Sequence, residues 1–303
     1  MHGWIILDKP LGLGSTQGVS AVKRALRDGG YGKFKVGHGG TLDPLATGVL
    51  PIAIGEATKL AGRLLDSDKV YAFTIRFGEQ TDTLDAEGKV IATSETRPTA
   101  TALASVLRRF TGAISQVPPA YSALKVDGER AYDLARAGAE VVLASRDVTV
   151  HSLTVHDADP RCHDDDALQL EEVTLLARVS KGTYIRSLAR DVALALGTVG
   201  HVTMLRRSRA GPFDLSGAIS LDKLGELGQA RALEQILLPL RAGLDDIPAL
   251  PLDPDQAGAL RQGRVLVGTA ATDGAALATY RDVAIALVDV RGGEVRVVRG
   301  FNL

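Results

Sequence analysis

A glycine-rich, polar segment runs from Gly37 to Gly48 and contains His38, Thr41 and Asp43. Glycines at 37, 39, 40 and 48 let a backbone approach a ligand closely. The segment is not a nucleotide loop, because no Gly-Lys-Ser/Thr follows and no Gly-x-Gly-x-x-Gly opens a helix. Asp43 precedes Pro44, which steers it away from helical geometry into a loop or extended stretch. A carboxylate so placed suits a nucleophile, a base or a simple turn. His38 is open in the same way between a structural and a catalytic part.

Other chemistry-bearing residues carry less. Thr81–Gly88 resembles a calcium loop, but Asp82 and Asp85 are three apart and no twelfth-position glutamate follows, so it reads as a turn. Cys162-His163 with Asp164–Asp166 falls short of a zinc ligand set and reads as a solvated acidic loop. Ser122 and Ser187 have no histidine at a recognisable spacing, so a hydrolase triad has no support.

The elements that must position these residues are legible from period and punctuation. Trp4–Leu7 reads as a short buried strand ended by Asp8-Lys9-Pro10. Ser15 or Thr16 then caps a helix with Val19, Val22 and Leu26 on one face, stopping at Gly29-Gly30. Val49–Ile54 and Val70–Phe77 read as strands, and Leu103, Val106, Leu107 and Phe110 as a helix stripe. Arg146–His156 and Glu172–Val179 read as strands around the acidic stretch 157–166. A helix carrying Ile185, Leu188, Ala189, Val192 and Leu196 follows, ended by Gly197. Beyond Leu240, prolines at 248, 251 and 254 mark a linker, and Val283–Val290 with Glu294–Val298 forms a hairpin across Gly292-Gly293. The expected class is α+β, with a domain over 1–245 and a small β-rich one over 246–303.

Bulk properties bound the function classes. The composition is 45% hydrophobic and 23% charged, enough to bury a core without metal or disulfide. One cysteine, Cys162, excludes an internal disulfide and fits a reducing cytoplasm. A charge arrives at Asp8, too early for a signal peptide, and no apolar run approaches a membrane span. Net charge is −1, but it is unevenly spread. Residues 1–63 hold 8 Lys and Arg against 4 Asp and Glu, and residues 181–210 hold 6 against 1. A neutral protein with such patches can still meet RNA phosphates, although solvated charge explains the counts equally well.

The combination of motifs goes further. Lys35–Pro51, reading Lys-Val-Gly-His-Gly-Gly-Thr-Leu-Asp-Pro-Leu-Ala-Thr-Gly-Val-Leu-Pro, resembles the signature of the bacterial tRNA pseudouridine-55 synthases (the TruB family). Leu7–Pro10, Asp66–Tyr71, Pro119–Lys125, Ser180–Arg186 and His201–Arg207 resemble further blocks of that family, in the same order, over roughly residues 3–210. Gly12-Leu13-Gly14-Ser15 departs slightly from the usual form, and the C-terminal match is weaker.

The resemblance implies a pseudouridine synthase fold: a mixed, largely antiparallel central sheet flanked by helices, plus a PUA-like C-terminal domain. It implies catalytic Asp43, Tyr184 and Arg186. It also implies substrate contacts from His38, Tyr71, Tyr184, Leu205 and Lys9. Arg206, Arg207 and Arg209 become candidate phosphate contacts. The implied reaction moves the glycosidic bond of a T-loop uridine from N1 to C5, and a buried base must be flipped out for it. An isomerisation needs no cofactor and no metal. The implied partner is the tRNA T-arm, without membrane or guide RNA, met by a monomer.

Overall fold

The computed structural model describes residues 1–122, 124–126, 128–138, 141, 143–156 and 169–303. The acidic stretch 157–166, with Cys162 and His163, and Ala123 of the Pro119–Lys125 block lie outside the described residues.

Seven strands make the path of the central sheet: β1 (Gly3–Lys9), β2 (Ala46–Ile54), β3 (Lys69–Phe77), β4 (Gly112–Gln116), β5 (Arg146–Val155), β6 (Glu172–Val179) and β7 (Gly200–Ala210). Their order is β1-β2-β7-β3-β6-β5-β4. Along this path every neighbouring pair is antiparallel except β2–β7, which is parallel over Leu205↔Ala46 to Arg207↔Gly48. Val36–His38 adds an antiparallel strand against β2. The sheet is therefore mixed and largely antiparallel, as expected.

Alternation along the strands divides the core in two. Ile5, Leu7, Leu50, Ile52, Phe73, Ile75, Val173 and Leu175 face one side. There they meet α1 (Ser15–Asp28), α2 (Ala100–Arg109), α3 (Ile185–Ala195) and the helix Leu221–Gln229. Trp4, Ile6, Val49 and Ala53 face the other side. They pack on Ala57, Leu60 and Leu64, on Leu277 and Leu287 of a second sheet, and on Phe301 just beyond its last strand. That sheet is built from Ala249–Pro251, Gly274–Tyr280, Val283–Arg291 and Glu294–Gly300. Strand β1 is buried on both faces, which is why its sequence is a continuous apolar run rather than an alternation.

Two details differ from the sequence reading. Gly14, not Ser15 or Thr16, caps α1, and its N–H donates to Gln17 Oε1 at 2.7 Å. The Ser15 hydroxyl is engaged elsewhere, as described below. Strand β7 lies in the middle of the sheet but is not readable as a strand. Bulges between Val202 and Met204 and between Arg207 and Arg209 break its period of two, and three arginines mask its burial. Gly197 follows α3 with φ +74°, as its position predicted. Among the described residues, no helix is long and apolar enough to cross a membrane.

Candidate active site

The loop carrying Asp43 is fixed at its backbone on both sides of that residue. Before it, Ser15 Oγ donates to Leu42 O at 2.9 Å and accepts from Leu42 N at 2.8 Å. Arg207 donates to Gly40 O, Thr41 O and Val49 O at 3.1, 3.3 and 2.8 Å. After it, Pro44 O accepts from Gly12 N at 2.9 Å and from Lys9 Nζ at 3.3 Å. Lys9 Nζ also donates to Leu13 O at 2.6 Å and Pro10 O at 3.0 Å. Ala46 N donates back to Asp43 O at 3.0 Å, closing a turn over Pro44. Gly48, at φ +100°, lies so close to β7 that a Cβ would collide with the Arg207 carbonyl.

This framework holds the Asp43 carboxylate, 39% exposed, on the wall of a cleft of about 270 Å³. Arg186, 6% exposed, reaches it from the first turn of α3, Nη2 to Oδ2 at 2.8 Å. The guanidinium is fixed independently of Asp43. Its Nη1 donates to Thr83 O at 2.8 Å and its Nη2 to Tyr121 O at 2.9 Å. Asp85, 2% exposed, makes a further ion pair with Nη1 at 3.4 Å. The Asp85 carboxylate is in turn held by Thr83 Oγ1 at 2.5 Å and Glu87 N at 3.0 Å. Sequence reading passes over Asp85, since its turn offers only an incomplete calcium pattern. A buried carboxylate across from an arginine is a tertiary feature. Burial raises the pKa of the adjacent Glu87, with the charges of Asp85 and Asp43 adding to it.

Tyr71, Tyr184 and Leu205 line the same cleft as Asp43 and Arg186, together with Val179, Ile185 and Ser122. Tyr71 sits opposite Arg207 in the β3–β7 register, and Leu205 opposite Phe73. Tyr184 is the N-terminal flanking residue of α3. Its own side chain does not cap the helix. Gln116, 1% exposed at the end of β4, holds the Tyr184 backbone at both groups, Nε2 to O at 3.1 Å and N to Oε1 at 2.8 Å. The residue as a whole lines the cleft. Burial raises its pKa above the usual tyrosine value.

The remaining expected substrate contacts take other places. Lys9 is fully buried, with its donors on Pro44 O of the Asp43 loop and on Pro10 O and Leu13 O of the β1–α1 connection, so direct contact with RNA is corrected to support of the Asp43 loop. Burial lowers its pKa to about 8, against the opposing effect of Asp43. Arg207 is 1% exposed with its donors on backbone carbonyls, so it is a strut rather than an open phosphate contact. Arg206 points to the opposite face of the sheet, because adjacent residues of a strand alternate. There it grips Asp8 with two bonds, at 3.0 and 2.8 Å, and does not line the cleft. Arg209 bonds Gly211 O at 2.9 Å and lines a different, outer hollow. His38 lies at the end of Val36–His38, half-buried and not among the residues that line the cleft, with its pKa lowered by burial and then by Arg207. Lys69 was not singled out from sequence. It lines the cleft and donates to Leu64 O, Leu65 O and Ser67 O at 2.8, 2.7 and 2.5 Å. Burial brings its pKa to about 8.

Residues 27–185 match the family described as TruB family pseudouridylate synthase, N-terminal domain. Residues 186–245 match the tRNA pseudouridylate synthase B C-terminal domain. A protein of Novosphingobium aromaticivorans named tRNA pseudouridine synthase B is 64% identical over 303 residues, covering 100% of this chain and 98% of that one. One of the same name from Zymomonas mobilis is 58% identical, covering 100% and 96%. Among solved structures, a Cbf5-Nop10-Gar1 complex is similar with TM-score 0.71 at 25% identity, covering 99% of this chain and 85% of that one. The chain belongs to the TruB family of tRNA pseudouridylate synthases.

Proposed function

We propose that the enzyme isomerises the uridine at position 55 in the tRNA T-loop, with Asp43 as its catalytic carboxylate. One observation carries this reading: Asp43 and Arg186 lie 2.8 Å apart in a cleft whose wall also holds Tyr71, Tyr184 and Leu205. An ionised carboxylate beside the glycosidic bond can add covalently or take a proton in an elimination, and a guanidinium orients it for either. Tyr71 offers a flat face to the base, Leu205 an apolar one, and Tyr184 a hydroxyl for proton transfer. A uracil stacked inside an RNA fold cannot reach such a cleft, so the base is turned out into it. Bond migration conserves every atom of the nucleotide, which leaves nothing for a redox cofactor or an energy source to supply.

Two further parts belong to the same reading. The catalytic body spans 1–245, and the small sheet of 246–303 is a PUA-like module that adds RNA contact area. The protein works on tRNA in the cytoplasm as a monomer without a guide RNA; the match over its whole length to a protein named tRNA pseudouridine synthase B supports the tRNA substrate. The test is pseudouridine mapping of a bare tRNA transcript treated with purified protein alone. Modification confined to the T-loop uridine is expected. Modification elsewhere would end the site assignment, and a requirement for added RNA would end the guide-free assignment.

A further inference from the structure

The sequence offers Arg206, Arg207 and Arg209 for RNA phosphates, but the structure commits all three to the protein itself. Other cations that line or flank the cleft are committed too. Arg186 bonds Asp43, Thr83 O and Tyr121 O, Lys69 bonds three carbonyls, and Lys181 pairs with Asp66 at 3.0 Å. Arg146 differs from them. It is partly buried, and its Nε is buried without a partner. Among the described residues, its side chain has neither a hydrogen bond nor an ion pair.

The sheet sets where that guanidinium stands. Arg146 opens β5 and lies opposite Gln116 in the β5–β4 register. Residues directly opposite in an antiparallel pair project to the same face. From that face Gln116 reaches the Tyr184 backbone at 2.8 and 3.1 Å, and Arg146 reaches the nearby Gly182. Arg146 Nη1 stands 3.8 Å from the point a Cβ would occupy on Gly182. Gly182, Thr183 and Tyr184 all line the cleft, whereas Arg146 does not. The guanidinium therefore stands beside this stretch of wall, outside the space open to a base.

An arginine stays charged at any working pH, and a partly buried charge without a counter-charge is unfavourable. A glutamine or methionine would take the same place without that cost. An anion arriving with the substrate removes it, and RNA brings one with every nucleotide. When a base occupies the cleft, the phosphates of its nucleotide stay outside, beside the wall. A guanidinium meets phosphate oxygens with two parallel bonds. The uracil carbonyls match it less well, being neutral and inside a cleft that Arg146 does not line. We propose that Arg146 binds a phosphate flanking the everted uridine and holds the backbone there while the base occupies the cleft. This rests on the reading of the cleft as the place that receives that uridine.

The experiment measures binding of T-arm hairpins to the wild type and to Arg146→Gln. Beside the natural hairpin, two others carry a neutral methylphosphonate on the 5′ or the 3′ side of the target uridine. The wild type is expected to bind one of these two about 10-fold or more weakly than the natural hairpin. Arg146→Gln is expected to bind the natural hairpin about 10-fold more weakly, with the salt dependence of log Kd lower by about 1. With the sensitive linkage it is expected to lose nothing further, because the contact is already gone. Its urea midpoint is expected to match or exceed that of the wild type, since an unpaired charge has been removed. Wild-type indifference to both neutral linkages would overturn the proposal without recourse to a variant. So would wild-type affinity and salt dependence in Arg146→Gln. Additive losses from variant and linkage would also overturn it, and together with a lowered urea midpoint they would assign Arg146 to structure only. Pseudouridine formation by the wild type on the natural hairpin is scored alongside. Its absence would refute the reading of the cleft, whereas modification with additive losses would refute the Arg146 assignment alone.

Discussion

Arg206 and Arg207 are neighbours in the chain, yet they belong to two different regions. On the cleft face, Lys9, Lys69 and Arg207 are buried and direct their donors at backbone carbonyls of the loops that form the site. On the opposite face, Arg206, Arg178 and Arg63 meet carboxylates in partly exposed pairs with Asp8, Asp68 and Asp246. The difference shows where cationic side chains do most for function. A buried cation bonded to several carbonyls fixes a loop in one geometry, because removing it leaves polar groups without partners. A surface ion pair is weakened by water and salt and fixes little.

Substitutions on the two faces should therefore separate cleanly. Arg186→Lys removes the planar grip on Asp43 and the bonds to Thr83 and Tyr121, and kcat is expected to fall on the order of 100-fold with KM little changed. Near-normal turnover would show that the pairing is dispensable. Asp85→Asn keeps the shape but removes the charge facing Arg186, and about a 10-fold loss of kcat is expected in the same assay. A loss as deep as that of Arg186→Lys would move Asp85 into the site itself. Arg207→Met leaves three carbonyls unbonded, and urea unfolding should show about 3 kcal/mol of destabilisation or more.

Lys9 provides a test by pH. Its folded pKa of about 8 lies below the ordinary lysine value of 10.5, so the unfolded chain binds more protons between those two values. The Lys9 contribution to stability therefore rises as pH increases through that window. The stability gap between wild type and Lys9→Met should widen from pH 8 upward, and a gap independent of pH would mean that the ammonium is not confined. The smallest effect belongs to Arg206→Ala, where a partly exposed pair predicts a change below about 1 kcal/mol and lower tRNA affinity only at low salt. A loss of tRNA binding that persists at high salt would reverse the distinction between the faces.

Much of this arrangement was legible before any coordinates. The strands β1, β3 and β6 and the helices α1 and α3 followed from apolar period and glycine stops, and Asp43 was confined to a loop by Pro44. The partnership of Asp43, Tyr71, Tyr184 and Arg186 was not in the periodicity at all; it came from motif order, since four residues spread over 144 positions meet only through the sheet. What stayed hidden was decided by side-chain direction. Strand β7 lost its pattern to two bulges, so the opposite facing of Arg206 and Arg207 was unreadable. The Ser15 hydroxyl went to Leu42 rather than to its own helix, and Asp85 looked like a turn residue until Arg186 was placed against it.

The most direct test of Asp43 as the reacting carboxylate is rapid-quench single turnover of Asp43→Asn on a tritiated T-arm hairpin, with hairpin affinity measured in parallel. With a catalytic Asp43, tritium release falls at least about 1,000-fold while affinity is retained. Release within a few-fold of wild type at the same affinity would contradict that role.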